Sequence, residues 1–176
     1  MRLITLCNIF ISPYKRPKSN EPRANTSLLE IPTPGGKLVL MKHIEMSLDE
    51  FAGHYANAWC SGDPDQVAAF FSENGTLTVN DGDAAVGRPA IAKTAKAFMT
   101  AFPDMTVTFD KYISQSATKG DFHWTLSGTN TGPGGSGKRV QISGFEEWTF
   151  GKDGLVETSL GHFDDGEYQR QLRGQA

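Results

Sequence analysis

Near the C-terminal end, Leu160, His162 and Asp164 alternate at two-residue spacing, which on an extended strand puts an imidazole and a carboxylate on one face. A carboxylate at the mouth of an apolar cavity has its charged form disfavoured. Its pKa then rises toward neutrality, which suits proton transfer at a carbon next to a carbonyl. His162 would orient that carboxylate or relay its proton. The plainer readings are that Asp164 or Asp165 caps a last helix over Gly166–Arg173, and that His162 is a hydrogen-bonded core histidine. Tyr55 falls on the apolar face of an expected helix, where a buried hydroxyl needs a partner; backbone would serve, and so would a developing enolate oxygen. Glu146 and Glu147 are adjacent on an expected strand, so one of them points inward, and both stay open as pocket residues.

Positioning these groups requires a definite set of elements. Ser47-Leu48-Asp49-Glu50 is a reciprocal capping pattern that starts a helix, and Leu48, Phe51, Ala52, Tyr55 and Trp59 recur on one face of it until Ser61-Gly62. Asp63-Pro64 starts a second helix, with Val67, Phe70 and Phe71 inward until Asn74-Gly75. Thr76 to Val79 reads as a short strand, Asn80 to Asp83 as a turn, and Ala84 to Gly87 as a second short strand. A third helix from Pro89 carries Ile91, Ala95, Phe98, Met99 and Phe102 on one face. From Met105 the period changes to two, giving strands around Met105–Asp110, Phe122–Ser127, Val140–Phe150 and Leu155–Phe163. Helices followed by antiparallel strands predict an α+β fold, helices packed on one face of a curved sheet with a hollow between. Trp59, Phe98, Phe102 and Trp124 are its expected aromatic walls, and Asp81 stands on the loop after the first strand.

The order of these elements, with Phe70-Phe71-Ser72-Glu73-Asn74-Gly75, Gly87-Arg88-Pro89-Ala90-Ile91 and a closing acidic motif, resembles the nuclear-transport-factor-2-like superfamily, and within it the SnoaL-like branch of polyketide cyclases. The resemblance covers roughly residues 47 to 173. It implies a cone-shaped α+β barrel with three N-terminal helices over a closed apolar pocket, a homodimer through the outer sheet face, and no cofactor. In SnoaL-like cyclases a carboxylate some seven positions before a Gln-Leu pair is the general acid/base, which carries over to Asp164 ahead of Gln171-Leu172. Tyr55 resembles the ketosteroid isomerase tyrosine, and Glu146 stands where those isomerases place a second acid. Their general base falls on Val79, with Asp81 two residues on. Aldol cyclisation or double-bond isomerisation of a small or polycyclic apolar carbonyl compound would use this set. The alternative from another class is a non-catalytic module that binds an apolar ligand or dimerises. Epoxide hydrolysis, resembling an Asp-Arg-Asp set, would need two inward carboxylates around Arg88 or Arg139.

Charge and composition narrow the partners. Residues 1–46 carry seven Lys/Arg and three Asp/Glu, so the remainder carries ten against seventeen. A domain with that net of −7 is a poor nucleic-acid binder, lacking the basic face that displaces counterions. The first 45 residues, with five prolines in polar sequence, read as a disordered extension before a domain spanning 46–176. Leu3 to Ile11 is too short to span a bilayer and lacks a small-residue cleavage site, so no membrane partner and a cytoplasmic location are expected. Cys7 and Cys60 form no disulfide framework. The four histidines, at 43, 54, 123 and 162, include no pair at the helical spacing of a zinc motif, so no metal is expected. Gly132 to Lys138 mimics the start of a phosphate loop, but Arg139 replaces the magnesium-holding hydroxyl and a strand follows, so it reads as a hairpin loop.

Overall fold

The computed structural model describes residues 46–174; the extension expected over 1–45 lies outside the described residues. Helix α1 (Leu48–Cys60) begins at the capping pattern, with the Glu50 backbone N–H donating to Ser47 Oγ at 3.2 Å and the Ser47 N–H donating to Glu50 Oε2 at 2.8 Å. Its buried face carries Phe51, Ala52, Tyr55, Ala56 and Trp59, whereas Leu48, in the first turn, remains exposed. Asp63 caps α2 (Pro64–Ala68) by accepting from the Asp65 N–H.

That second helix ends earlier than its sequence predicts. Instead of continuing to Asn74-Gly75, the chain turns into strand β1 (Phe71–Val79), because Phe71 pairs with Val156 and the Val156 N–H donates to Phe70 O at 3.0 Å. Extended pairing satisfies these backbone groups and buries Phe71 completely, which outweighs a helical continuation. Asn74-Gly75 is then not a helix stop but the site of a register shift between Phe71 and Thr76. A Cβ at Gly75 would stand 2.8 Å from Val156 O and 3.1 Å from Ser72 O, so the shift needs glycine.

Strand β2 (Ala85–Val86) hairpins back onto β1, and Gly87, at φ 79°, leads into α3 (Arg88–Ala101). Arg88 fixes that entry by donating from Nε and a terminal nitrogen to Phe71 O, at 2.8 and 2.7 Å. Strands β3 (Thr106–Ser116), β4 (Lys119–Thr129), β5 (Arg139–Phe150) and β6 (Val156–Phe163) follow, then α4 (Asp165–Leu172). The fold is α+β, with a curved, unclosed six-stranded sheet in the order β2-β1-β6-β5-β4-β3. Four of its five pairings are antiparallel as expected, but β1 runs parallel to β6, from which α3 and four intervening strands separate it in the chain. The loop after β4 is organised by Asn130, whose side chain accepts from the Ser136 N–H and donates to Ala101 O; a strand follows, as in a hairpin loop.

Tyr55 sits at the centre of the core, edge-on to Trp59, Phe70, Phe71, Phe122 and Trp148 at centroid distances of 5.2 to 6.2 Å. Beneath it Phe109, Phe122 and Trp148 form a near-parallel stack across β3, β4 and β5. None of the described helices is long and apolar enough to cross a membrane.

Two glycine substitutions separate packing from propensity. Gly75→Ala is expected to destabilise the domain by about 1–3 kcal/mol through overpacking. Gly53→Ala, in the interior of α1 with open space around it, should stabilise by about 0.5–1 kcal/mol. Urea unfolding midpoints of the two variants check both signs.

Candidate functional site

The sheet alternation decides which side chains meet. On β5 the even positions Val140, Ile142, Glu146 and Trp148 are buried, so Glu146 faces the helices while Glu147 is exposed on the opposite face. On β4 the inward set is Phe122, Trp124 and Leu126; on β6 it is Ser159, Gly161 and Phe163. The polar set His123, Thr125, Ser127 and Thr129 belongs to the outer face, where Thr125 Oγ1 donates to Asp110 at 2.8 Å.

Between these strands and the helices lies a cavity of about 50 Å³ within which a water molecule's centre can move. Trp59 of α1 and Phe98 of α3 close one side, and Leu77 and Val79 of β1, Val107 of β3 and Ile142 of β5 complete an almost wholly apolar wall. Trp124 lies flat against β5 because residue 144 is glycine: a Cβ there would stand 2.6 Å from the indole Cζ2. Among the residues lining the cavity, Glu146 alone is ionisable.

Three donors converge on one oxygen of this carboxyl. Glu146 Oε2 accepts from Ser159 Oγ at 2.6 Å, Trp148 Nε1 at 3.0 Å and Tyr55 Oη at 3.1 Å. Oε1 has only a long 3.4 Å approach from Tyr55, so it is the oxygen with capacity left for a ligand. Burial pushes the Glu146 pKa up; the three donors oppose that shift without cancelling it. Burial, and then the negative charge of Glu146, hold the Tyr55 phenol well above its usual value, so Tyr55 stays protonated and donates.

The residues expected to form the acid/base set do not converge. Asp164 is exposed and caps α4, its Oδ1 accepting from the Glu167 N–H at 2.9 Å, which is the plainer of its two readings. His162 shares the outer face with Leu160: its Nε2 is 2.9 Å from Glu147 Oε1, at ion-pair distance without the alignment of a directional hydrogen bond, and its ring lies against Phe145. The apolar Leu160 suggests an inward face, but 40% of it is exposed, and the inward residues are its neighbours Ser159 and Gly161. Tyr55 is wholly buried behind Glu146 rather than lining the cavity. Of the expected ligand-binding residues, Trp59, Phe98, Trp124 and Glu146 line it. Phe102 instead packs on Gly128 and Tyr168, Asp81 is exposed in the turn, and Glu147 lies outside.

Ser159 and Trp148 are the members that sequence reasoning missed. The run Val140, Ile142, Trp148 carried the signal that puts Glu146 on the buried parity of β5. Ser159 had none, because the register shifts between Thr149 and Phe150 where β6 joins the sheet. Among the described residues no group of three or more His, Cys, Asp and Glu side chains could hold a metal ion.

The family model described as a SnoaL-like domain matches residues 52–158. The chain belongs to this family. No curated protein matches it by sequence. Solved structures share the fold of this SnoaL-like protein at low identity. A protein of ketosteroid isomerase-like fold from Catenulispora acidiphila, in complex with trimethylamine, is 16% identical with a TM-score of 0.62, over 72% of this chain and 94% of that one. SalBIII, an epoxide hydrolase/cyclase-like enzyme with a role in forming the pyran ring of salinomycin, is 21% identical with a TM-score of 0.57, over 67% and 91%. A phenazine biosynthesis-related protein of Pseudomonas aeruginosa is 16% identical with a TM-score of 0.57, over 71% and 86%. These likenesses establish the nuclear-transport-factor-2-like fold of the SnoaL-like domain.

The raised Glu146 pKa has a definite linkage sign. A carboxyl that binds its proton more tightly when folded contributes stability that is fully present below its unfolded pKa, close to 4.5, and is lost as the pH rises through the folded value. Relative to Glu146→Gln, the wild-type SnoaL-like domain should therefore lose stability as the pH rises from about 4.5 through the raised folded value, as read from paired urea unfolding curves.

Proposed function

We propose that this SnoaL-like protein is an enzyme that moves a proton on a small apolar carbonyl compound without a cofactor, with Glu146 rather than Asp164 as the acid/base. The observation that supports this is the single ionisable group in an otherwise apolar cavity, fixed through one carboxyl oxygen and open at the other. Ionised Glu146 accepts a proton at Oε1 from the carbon beside the substrate carbonyl, leaving an enolate. Protonated Glu146 returns that proton to a different carbon in an isomerisation. In an aldol cyclisation the enolate carbon bonds to a second carbonyl of the same molecule and the proton goes to the resulting alkoxide. Burial raises the carboxyl above its ordinary range, which makes the carboxylate a stronger base than an exposed glutamate. Tyr55, Trp148 and Ser159 are positioning residues, since they touch Glu146 and not the cavity. The space available favours a small substrate over a polycyclic one.

Deuterium exchange at the carbon beside the carbonyl of cyclohexanone, followed by proton NMR in D₂O, tests this reading before a natural substrate is known. Glu146→Gln should lower protein-catalysed exchange by about a hundredfold or more. Gly161→Ala would add a methyl group 3.7 Å from Glu146 Cγ and 3.3 Å from Thr78 O, and should lower exchange by filling the cavity. Asp164→Ala should leave exchange intact and cost only a helix cap, about 1 kcal/mol. Exchange that survives Glu146→Gln but disappears in Asp164→Asn would sink the assignment.

A binding module is the second reading, favoured by one specific feature: a buried carboxyl ringed by Trp59, Trp124, Phe98 and Phe122 with no cation among the lining residues. Aromatic faces and one negative charge suit a small alkylammonium, as the trimethylamine complex of the similar-fold protein illustrates. In that case calorimetric affinity for trimethylammonium would strengthen as the pH rises through the Glu146 pKa and vanish in Glu146→Gln. Self-association, for which the outer sheet face carrying Ile113 and Leu160 is available, is compatible with either reading.

A further inference from the structure

Five glycines lie within the strands of the described sheet, and at four of them the protein itself occupies the room that a side chain would take. A Cβ at Gly75 would meet Val156 O at 2.8 Å, one at Gly128 would meet Phe102 Cβ at 3.1 Å, and one at Gly144 the Trp124 indole at 2.6 Å; at Gly120 the Tyr112 hydroxyl takes the place. Gly161 differs. The atoms nearest such a Cβ are Thr78 O at 3.3 Å and Glu146 Cγ at 3.7 Å, its φ is not left-handed, and it lines the cavity. The room above it therefore belongs to the cavity. A glycine inside a strand weakens that strand, and one use that offsets the cost is to let a ligand approach the backbone closely.

That room adjoins the carboxyl-bearing side chain. Gly161 of β6 is the cross-strand partner of Glu146, and on its other side it pairs with Val79. Val79, Gly161, Glu146 and Phe122 thus form one row across the sheet, and all four line the cavity. On the β4 side of Glu146 the row is filled by the buried Phe122 ring. The next row along the strands holds Trp148 and Ser159, both committed to Oε2. On the β6 side only the α-hydrogen of Gly161 stands beside Glu146. The backbone there is held in place: the Asn80 N–H donates to Gly161 O at 2.7 Å, and Asn80 Oδ1 accepts from the Phe163 N–H at 2.9 Å.

We propose that Gly161 is a specificity-determining residue of this cavity: the substrate carbon that yields its proton to Glu146 lies against the Gly161 backbone, in the place of the missing side chain, which restricts the substrate to carbonyl compounds whose reacting carbon is unbranched. This rests on the reading of the cavity as the substrate site of a proton-transferring enzyme. Branching at the reacting carbon would press on β6, whose backbone is fixed by its pairing to β1 and β5. A side chain at 161 would lift the reacting carbon off the carboxyl. The larger the ketone, the less it can shift elsewhere in so small a space, so the penalty grows with substrate size.

The test uses the full chain labelled with ¹⁵N and ¹³C, in ordinary water. Cyclohexanone is titrated in while the Leu77 and Val79 amides report occupancy of the cavity, and isotope-filtered nuclear Overhauser spectra locate the bound ketone. The expected result is contact between the Gly161 α-protons and the ketone CH₂ beside the carbonyl. Deuterium exchange into acetone and into cyclohexanone is then compared: Gly161→Ala should lower the cyclohexanone rate about tenfold more than the acetone rate. A loss of folded protein would lower both alike, so the ratio separates specificity from stability. If the cavity amides shift but the ketone contacts other walls and not Gly161, this proposal is overturned and the cavity remains a ligand site. An unchanged ratio in the folded Ala variant overturns it equally. If cyclohexanone perturbs no cavity amide, or binds without exchange in the wild type, the reading beneath falls and the proposal with it. The wild-type spectra decide even if the Ala variant folds poorly.

Discussion

Everything around the cavity depends on keeping one carboxyl group, Glu146, out of water. An isolated buried carboxylate is costly, and the structure offsets that cost with three hydrogen bonds from three elements: Tyr55 of α1, Trp148 two residues along β5, and Ser159 of β6. Each donor fixes its own element relative to Glu146, so α1, β5 and β6 are tied together at one point. An apolar residue of similar volume would need none of these bonds and would often be at least as stable. A polar arrangement that the fold does not require for stability, placed at the only charged point of an apolar cavity, is the kind of feature that chemistry or binding explains.

The same constraint accounts for the aromatic core. Tyr55 must bring its hydroxyl to Glu146 while its ring stays dry, and five aromatic neighbours surround it edge-on. Below, the stacked rings of Phe109, Phe122 and Trp148 bridge three strands and hold the Trp148 indole where its N–H reaches the carboxyl. Packing and electrostatics are therefore one problem here: moving a ring would unpair a donor.

The sheet divides polar work between its faces. Outside, Thr125 bonds Asp110 and Ser143, and His123, Phe145 and His162 lie side by side across β4, β5 and β6. Inside, glycines 144 and 161 thin the floor where Trp124 and the cavity need room. Asp164, just past β6, belongs to neither face and serves the last helix instead.

The sequence alone determined the α+β class, the start of α1, the four long strands and the aromatic walls at Trp59, Phe98 and Trp124, because capping patterns and periodicity are local signals that side-chain chemistry writes directly. It also held the parity of Glu146, in the alternation of Val140, Ile142 and Trp148. The extent of α2 was not legible, since the pairing of Phe71 with Val156, 85 residues away, overrides local helix signals. Nor was the face of His162, because the apolar Leu160 beside it carries the pattern of an inward residue while the register of β6 turns it out. Only the tertiary structure decided that Asp164 caps a helix and that Ser159, Trp148 and Tyr55 meet on one oxygen, since those contacts join separate elements and no spacing along the chain encodes the register that brings them together.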